Sequence, residues 1–308
     1  MKYIDPIYGE FEIDALAERI IGTPEFQRLK RIHQNGASFL ANGKLNTSRY
    51  EHSIGVYHLV KRFGGSIKEQ IAGLLHDIGH TAFSHVVDHL MELAKENYHE
   101  QMIGKFMNSG NMVAILASTG TNPSEMSDLS NFNLVKAGNK DLSCDRLDYC
   151  LRDLFKEGHI RKSDVMEVLN GITVDEGALV CKDVKIARRI AELVLTANLT
   201  IYFNPAYESA TSLFVQILKN AMKSGIVKQD DFLLDDYTVM QRLLSHGFEQ
   251  RIKSISKLSK TDEASGKCLS RKMRIIDPFV KKNGVRLSEK DSDFAETIKR
   301  FETNNERC

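Results

Sequence analysis

The chain has 308 residues, a formal net charge of +1 and 27% charged residues, which suits one large domain or two small ones and excludes a global field for polyanions. Its five cysteines form no Cys-x-x-Cys pair, and neither a signal peptide nor an apolar run of about 18 residues is present, so we expect a reducing, cytoplasmic setting without disulfides or a membrane span. Five prolines, no tryptophan and abundant Leu, Ile, Ala, Lys and Glu point to a mainly α fold.

In chain order, KYIDPIYGEFEID (2–14) alternates apolar and polar residues around a Pro/Gly turn and predicts a short β-hairpin. Thr23-Pro24-Glu25 has the form of a helix start, with Thr as N-cap and Pro in first position, and the helix is expected to run to Asn35-Gly36. A second helix is expected from Ser48 to Phe63, closed by Gly64-Gly65. Val56, Leu59, Val60 and Phe63 give it an apolar face, and His52 lies one turn earlier on that face. A third should run from Ile67 to Gly79, followed by an amphipathic helix over 84–97 and a shorter one over 99–107. Residues 107–135 read as a short helix at Met112–Ala117 and a polar loop, and 142–155 as another helix. GITVDEGALVC (171–181) predicts a second hairpin turning at Asp175-Glu176-Gly177. Long helical patterns follow at 183–202 and 207–223. After 249 the chain is loosely patterned, Lys- and Ser-rich through 257–267, and RKMRIIDPFV (271–280) reads as a strand interrupted at Asp-Pro. The tail from 288 is charged. We expect a core over 1–230, N-terminal hairpin included, and a small α+β extension over 231–308 packing on it.

The stretch IAGLLHDIGHTAFSH (71–85) carries the chemistry. A helix with apolar Ile71, Ala72, Leu74, Leu75 and Ile78 holds adjacent His76 and Asp77, which would cost several kcal/mol if buried without partners. A metal ion would compensate them; so would a core hydrogen bond, the ordinary explanation of an isolated His-Asp pair. With His52 and Asp145 they make a set of two imidazoles and two carboxylates on helices with apolar neighbours. Such a set suits Mn, Fe, Co, Ni or Zn better than Ca or Mg, and the absence of thiolates argues against a structural zinc. Arg49 shares a helix face with His52 and suits a phosphate oxygen. Asp145, Asp148, Tyr149, Arg152 and Asp153 share one face of the next helix, which either lines a site or forms a surface ladder of ion pairs. His80, His85, Asp88, His99 and Glu100 add imidazoles and carboxylates, with His85 and Asp88 spaced so that a carboxylate can orient an imidazole.

Arg49-x-x-His52, the run H-D-x-G-H-x-x-F-S-H from His76 to His85, and D-R-L-D-Y-x-x-R-D from Asp145 to Asp153 together resemble the HD-domain phosphohydrolases. The resemblance is closest to the branch holding the mammalian SAM-and-HD-domain dNTP triphosphohydrolase and the bacterial dGTPase-like enzymes. It runs from Asp5 to about Asp153 and can be followed to IDPFV near 276. It implies an HD-type helical core, His52, His76, Asp77 and Asp145 as ligands of one divalent transition metal, and room for Mg on the substrate phosphates. It makes His80, His85, Asp88 and His99 a cluster beside the scissile phosphorus, with His85 as proton donor to the leaving group and Glu100 as the acidic residue next to the cluster's second histidine. Arg49, Arg146, Tyr149 and Asp153 match residues that hold phosphates and sugar, and Gln34 matches a glutamine near the sugar 3′-hydroxyl. The implied reaction is attack of metal-activated water on the α-phosphorus of a dNTP, releasing deoxynucleoside and triphosphate.

Two stretches depart from the pattern. Where the family has R-x-x-M-Y-x-x-V-Y-x-H, whose Arg grips the outer phosphate, this chain reads NLTIYFNPAYES (198–209), with Asn198 near the Arg position and Ser209 near the His. No Arg occurs between Arg189 and Arg242, leaving Lys219 and Lys223 as replacement cations. In the family's guanine-nucleotide activator site an Asp precedes T-P-x-F-Q-R-L; here that position is Gly22, with Gln27 kept and Lys30 in place of Arg, so guanine activation is not expected. The expectation is therefore a metal-dependent nucleotide phosphohydrolase, first a dNTP triphosphohydrolase and alternatively an enzyme of nucleoside monophosphates, cyclic nucleotides or another phosphate ester. A catalytically inert nucleotide or nucleic-acid binding module is the third and least favoured alternative. A homo-oligomer is expected by resemblance.

Overall fold

In a computed structural model that describes residues 1–93, 98–118, 122–258, 275–281 and 284–305, the helix starts written in the sequence decide where the core helices begin. Ser48 Oγ accepts from Glu51 N–H while Glu51 Oε2 accepts from Ser48 N–H at 2.9 Å, a reciprocal cap that opens the Arg49–Arg62 helix. Ser66 and Ser143 cap the Ile67–Leu75 and Cys144–Glu157 helices in the same way, through hydroxyls accepting from the N–H three residues on. These helices pack on one another around Ile54, Val60, Leu74, Leu147 and Leu151, all buried in the larger of two apolar clusters. Their approach is close because Gly55 carries no side chain: a Cβ there would overlap Asp148 Oδ1 and Arg152 Nη2.

The fold is mainly α, as expected, with small sheets at two places. β1 (Lys2–Asp5) and β2 (Gly9–Glu12) form the N-terminal hairpin, and β3 (Ile172–Asp175) and β4 (Ala178–Cys181) the second, turning through Glu176 and Gly177 at φ 48° and 78°. β4 then pairs in parallel with β5 (Phe279–Val280), and β5 antiparallel with β6 (Val285–Arg286), giving the order β3-β4-β5-β6. The chain beyond residue 231 returns to the core twice. Phe232, Val239, Leu243 and Ile255 join Phe83, Phe214 and Leu218 in the second apolar cluster, and Ile276, Leu287, Phe294 and Ile298 join the first.

Several boundaries differ from the sequence reading. The helix from Pro24 tightens into a 3-10 turn at Arg28–Arg31 and stops at Ile32, whose successor His33 bridges to Ser48. The third helix ends at Leu75, not Gly79, because Gly73 O accepts from His76 Nδ1 at 2.8 Å instead of continuing the ladder. The amphipathic segment expected over 84–97 is only the short helix Val86–Leu90, and residues 94–97 lie outside the described set. The sequence reading marks no helix at Lys162–Asn170, Asp236–Ser245 or Glu249–Ile255, yet all three are helical, the latter two held by packing against the second cluster. The strand expected over 271–280 is reduced to β5 after Pro278, with 271–274 outside the described residues, as is 259–267 of the Lys- and Ser-rich stretch. The pattern over 183–202 is an α-helix to Ala197 and then a wider π-helical turn at Asn198–Tyr202.

Because Gly55 is the point of closest approach between two helices, Gly55→Ala should destabilise the protein by about 1–3 kcal/mol through overpacking. A fall of several degrees in the melting temperature, followed by circular dichroism, checks this; an unchanged value would show that Asp148 and Arg152 yield freely.

Candidate metal centre and active site

His52 and His76 are both buried, and each has its Nδ1 proton fixed from behind. His52 Nδ1 donates to Asp148 Oδ2 at 2.8 Å, and His76 Nδ1 donates to the Gly73 carbonyl at 2.8 Å. A carboxylate and a carbonyl can only accept, so each Nδ1 carries a proton, and with a cation bound both Nε2 atoms would present it their lone pairs. Those two Nε2 atoms face each other at 3.1 Å. Asp145 Oδ1 lies 3.1 Å from His52 Nε2 and 3.5 Å from His76 Nε2, and Asp77 oxygens lie 3.6 and 3.4 Å from the same atoms. Ligand bonds of about 2.1 Å at right angles put neighbouring donor atoms about 3 Å apart, so His52, His76 and Asp77 fit a divalent ion of the transition series, with Asp145 against both imidazoles. The fit includes the tautomers: two lone pairs pointed together repel unless a cation or proton lies between them.

Without a cation the charges respond accordingly. Burial alone would lower His52, but bonds to Asp145 and Asp148 outweigh it and lift the imidazole to about 9. His76 is raised by Asp77 and Asp145 against the same burial cost. The Asp77 and Asp145 carboxyls, which burial would raise, are driven well below the usual range, Asp77 chiefly by Arg49 and Asp145 chiefly by bonds to the two imidazoles. Arg49 Nη1 donates to Asp77 Oδ2 at 2.6 Å.

Beside this centre lies a second group. His85 Nδ1 donates to Asp88 Oδ2 at 3.1 Å, and Asp88 also accepts from Tyr98 N–H at 3.0 Å. His80 and His99 stack with centroids 4.0 Å apart and planes 7° from parallel, and His85 meets both edge-on. Burial, with the neighbouring cations, lowers His80 well below its ordinary value and takes His99 to about 4, so both are neutral near pH 7. Both groups face one cavity of about 400 Å³. Of the predicted site residues all but His52 and Asp88 line it, and those two stand directly behind Asp145 and His85.

The chain matches the family model "HD domain" over residues 49–120, the segment holding Arg49, the HD pair and His85. The protein YdhJ of Bacillus subtilis is 35% identical over 287 residues, covering 91% of this chain and 88% of that one. A metal-dependent phosphohydrolase of Cordyceps militaris is 30% identical over 232 residues, 73% of this chain and 67% of that enzyme. The chain belongs to the HD-domain phosphohydrolases. It is also 36% identical over 149 residues to a deoxynucleoside triphosphate triphosphohydrolase of Bos taurus, a match that spans 41% of this chain and 25% of that enzyme. A solved structure from Aquifex aeolicus superposes with a TM-score of 0.66 at 23% identity, over 83% of this chain and 75% of that one, and supports the fold alone.

In this HD phosphohydrolase part of the cavity wall is polar and aromatic. Asp153 accepts from Asn35 Nδ2 at 3.0 Å and from Tyr202 O–H at 3.2 Å, and burial lifts its carboxyl to about 6. Tyr149 meets Tyr202 edge-on at 5.7 Å. Gln34 Oε1 is buried without a hydrogen-bond partner among the described residues and lines the same cavity. The cations that line it among the described residues are Arg49, Lys136 and Arg146. Lys136 is paired with Glu100 at 2.6 Å, and Arg146 donates to the Gly138 and Asp141 carbonyls. Lys219, one of the two expected replacement cations, pairs with Glu92 at 2.8 Å, and neither it nor Lys223 lines the cavity. Asn198 lines the cavity as well.

Sequence reasoning missed Asn35, read only as a helix stop, and Tyr202, hidden in a helical pattern. It placed Asp148 on the right face without its function, which is to orient His52. Asp148 is itself held by Arg152 Nε at 3.0 Å and Nη2 at 2.8 Å and by Tyr8 O–H at 2.8 Å, while Arg152 Nη2 reaches Asp5 Oδ2 at 3.0 Å. Removing the charge behind a liganding imidazole commonly weakens metal binding about 10- to 100-fold. Asp148→Asn should therefore raise the dissociation constant for manganese by that factor, measured by titration of the metal-free protein. An unchanged constant would mean that Asp148 serves packing only.

Proposed function

We propose that this metal-dependent phosphohydrolase acts on nucleotides, with deoxynucleoside triphosphates as the first substrate class, cleaved to deoxynucleoside and triphosphate. The observation that carries the reading is one cavity that brings together His76, Asp77 and Asp145, with His52 behind them, His85 backed by Asp88, and the polar wall of Gln34, Tyr149 and Asp153. Support for the triphosphate comes from the similarity to the bovine enzyme over 149 residues.

A divalent ion held by His52, His76, Asp77 and Asp145 would acidify a water and polarise a phosphoryl oxygen. Arg49, fixed by Asp77 and by Ser84 Oγ at 3.0 Å, presents a buried positive charge beside the phosphate and offsets charge as the phosphorus is attacked. The water oxygen bonds to phosphorus, the bond to the nucleoside 5′-oxygen breaks, and a proton from His85 ends on that oxygen. Asp88 supports the protonated imidazole: burial would raise its carboxyl, but the bond to His85 keeps it below its usual range and ionised. His80 and His99, both neutral, shape the space around His85 without adding charge. Asp153, Tyr149 and Gln34 offer acceptors and a flat ring to the sugar.

A second reading, hydrolysis of a shorter phosphate ester such as a nucleoside monophosphate, is favoured by the cations. Arg49, Lys136 and Arg146 are each already partnered, and Asn198 brings no charge to the wall where a terminal phosphate would be clamped. Product analysis decides between the two. With manganese or cobalt, at least one dNTP should release tripolyphosphate, and His76→Ala with Asp77→Ala should abolish turnover. If every dNTP stays intact while monophosphates are cleaved, the shorter ester replaces the triphosphate.

A further inference from the structure

The loop that carries His80 and His85 is irregular: the helix before it ends at Leu75 and the next begins at Val86. Two consecutive residues within it, Phe83 and Ser84, have φ of 57° and 53°. That left-handed conformation costs side chains with a Cβ about 1–2 kcal/mol each, so the loop holds this shape only where its surroundings impose it.

The surroundings that impose it come from a segment about 150 residues downstream, 232–236. Asp236 Oδ1 accepts from Phe83 N–H at 2.6 Å. Its other oxygen accepts from His33 N–H at 2.9 Å and from His33 Nδ1 at 2.8 Å. Phe232 O accepts from Ala82 N–H at 2.8 Å. Arg28 completes the frame, its Nη1 donating to His80 O at 2.8 Å and Leu234 O at 2.9 Å and its Nη2 to Ile78 O at 2.7 Å. Ser84 Oγ donates to His33 O at 2.7 Å, so the loop and the His33–Gln34 segment are locked to one another as well as to Asp236. Asp236 is 5% exposed and does not line the cavity.

We propose that Asp236 is a positioning residue for the reaction, one carboxylate that fixes the Phe83–Ser84 turn to His33 and thereby aims His85 at the leaving-group oxygen. Asp236 lies outside residues 49–120 matched by the family model, so the aim of His85 is set from beyond the HD segment itself. The inference rests on the reading of His85 as proton donor. Asp236 touches no reacting atom; it acts through the backbone on which His85 is mounted. A misplacement of about 1 Å at a proton-donating group costs roughly 100-fold in rate, which sets the scale of the effect.

The test compares Asp236→Asn and His85→Asn with the parent protein, each loaded with manganese. The substrates are deoxynucleoside mono- and triphosphates, whose 5′-oxygen needs a proton to leave, and p-nitrophenyl phosphate, whose leaving group does not. Asp236→Asn should lower kcat on the deoxynucleotides roughly 10- to 100-fold, with KM, manganese content and melting temperature unchanged and p-nitrophenyl phosphate turnover nearly kept. His85→Asn should show the same selectivity more strongly. Selectivity in His85→Asn with none in Asp236→Asn overturns the positioning role. If His85→Asn slows both ester classes alike, the proton-donor reading fails, and hydrogen–deuterium exchange of residues 78–85 decides on Asp236: faster exchange at an unchanged melting temperature supports the clamp, unchanged exchange overturns it. Arg28→Gln, which loosens the same loop at Ile78 O and His80 O, provides both readouts if Asp236→Asn does not fold.

Discussion

Two imidazole Nε2 atoms held 3.1 Å apart and aimed at one another are the constraint on which the rest of this structure depends. Each is forced into that attitude from behind, His52 by Asp148 and His76 by the Gly73 carbonyl, so neither ring can turn away without abandoning a buried hydrogen bond. The cost is relieved by a shared cation, and the fold is arranged to keep that solution available. The Ile67–Leu75 helix gives up its last turn so that His76 can use the carbonyl that the ladder would have taken. The Arg49–Arg62 and Cys144–Glu157 helices approach over Gly55 so that Asp148 can reach His52.

The charges behind the centre follow from the same constraint. Asp148 is fully buried, and a lone carboxylate there would take up a proton rather than orient His52. Arg152 prevents that, gripping Asp148 from one turn further along its own helix and sharing the charge with Asp5 of β1, with Tyr8 donating from the hairpin turn. The N-terminal hairpin thus belongs to the electrostatics of a centre built from residues 52–145.

The candidate metal ligands stand out in the sequence because their types and order form linked motifs, and the helices carrying them because Ser48, Ser143 and the Thr23-Pro24 pair are local signals. The end of the third helix was not, since apolar periodicity continues through Ile78 while the backbone answers to His76 and Arg28. The helices at Asp236–Ser245 and Glu249–Ile255 owe their form to packing on Phe83 and Phe214, a contact no local window contains. Asn35, Tyr202 and Asp148 escaped for a related reason: their partners are Asp153 and His52, between 49 and 118 positions away in the chain. What the sequence read as a charged face of the Asp145 helix proved to be a cavity wall on one side and a buried ion network on the other.

The parallel pairing of β4 with β5 joins segments roughly 100 residues apart, and the strand it recruits braces the start of the helix that bears Asp145. Asp277 N–H donates to Lys140 O at 2.9 Å, and Arg286 Nη2 donates to Asp141 Oδ1 at 2.8 Å, just ahead of the Ser143 cap. Closing so long a loop carries an entropic cost, about 0.6 kcal/mol for each doubling of its length, that the contacts around β5 have to offset. On the ribosome, the nascent chain presents His52, His76 and Asp77 long before the brace under their fourth partner exists.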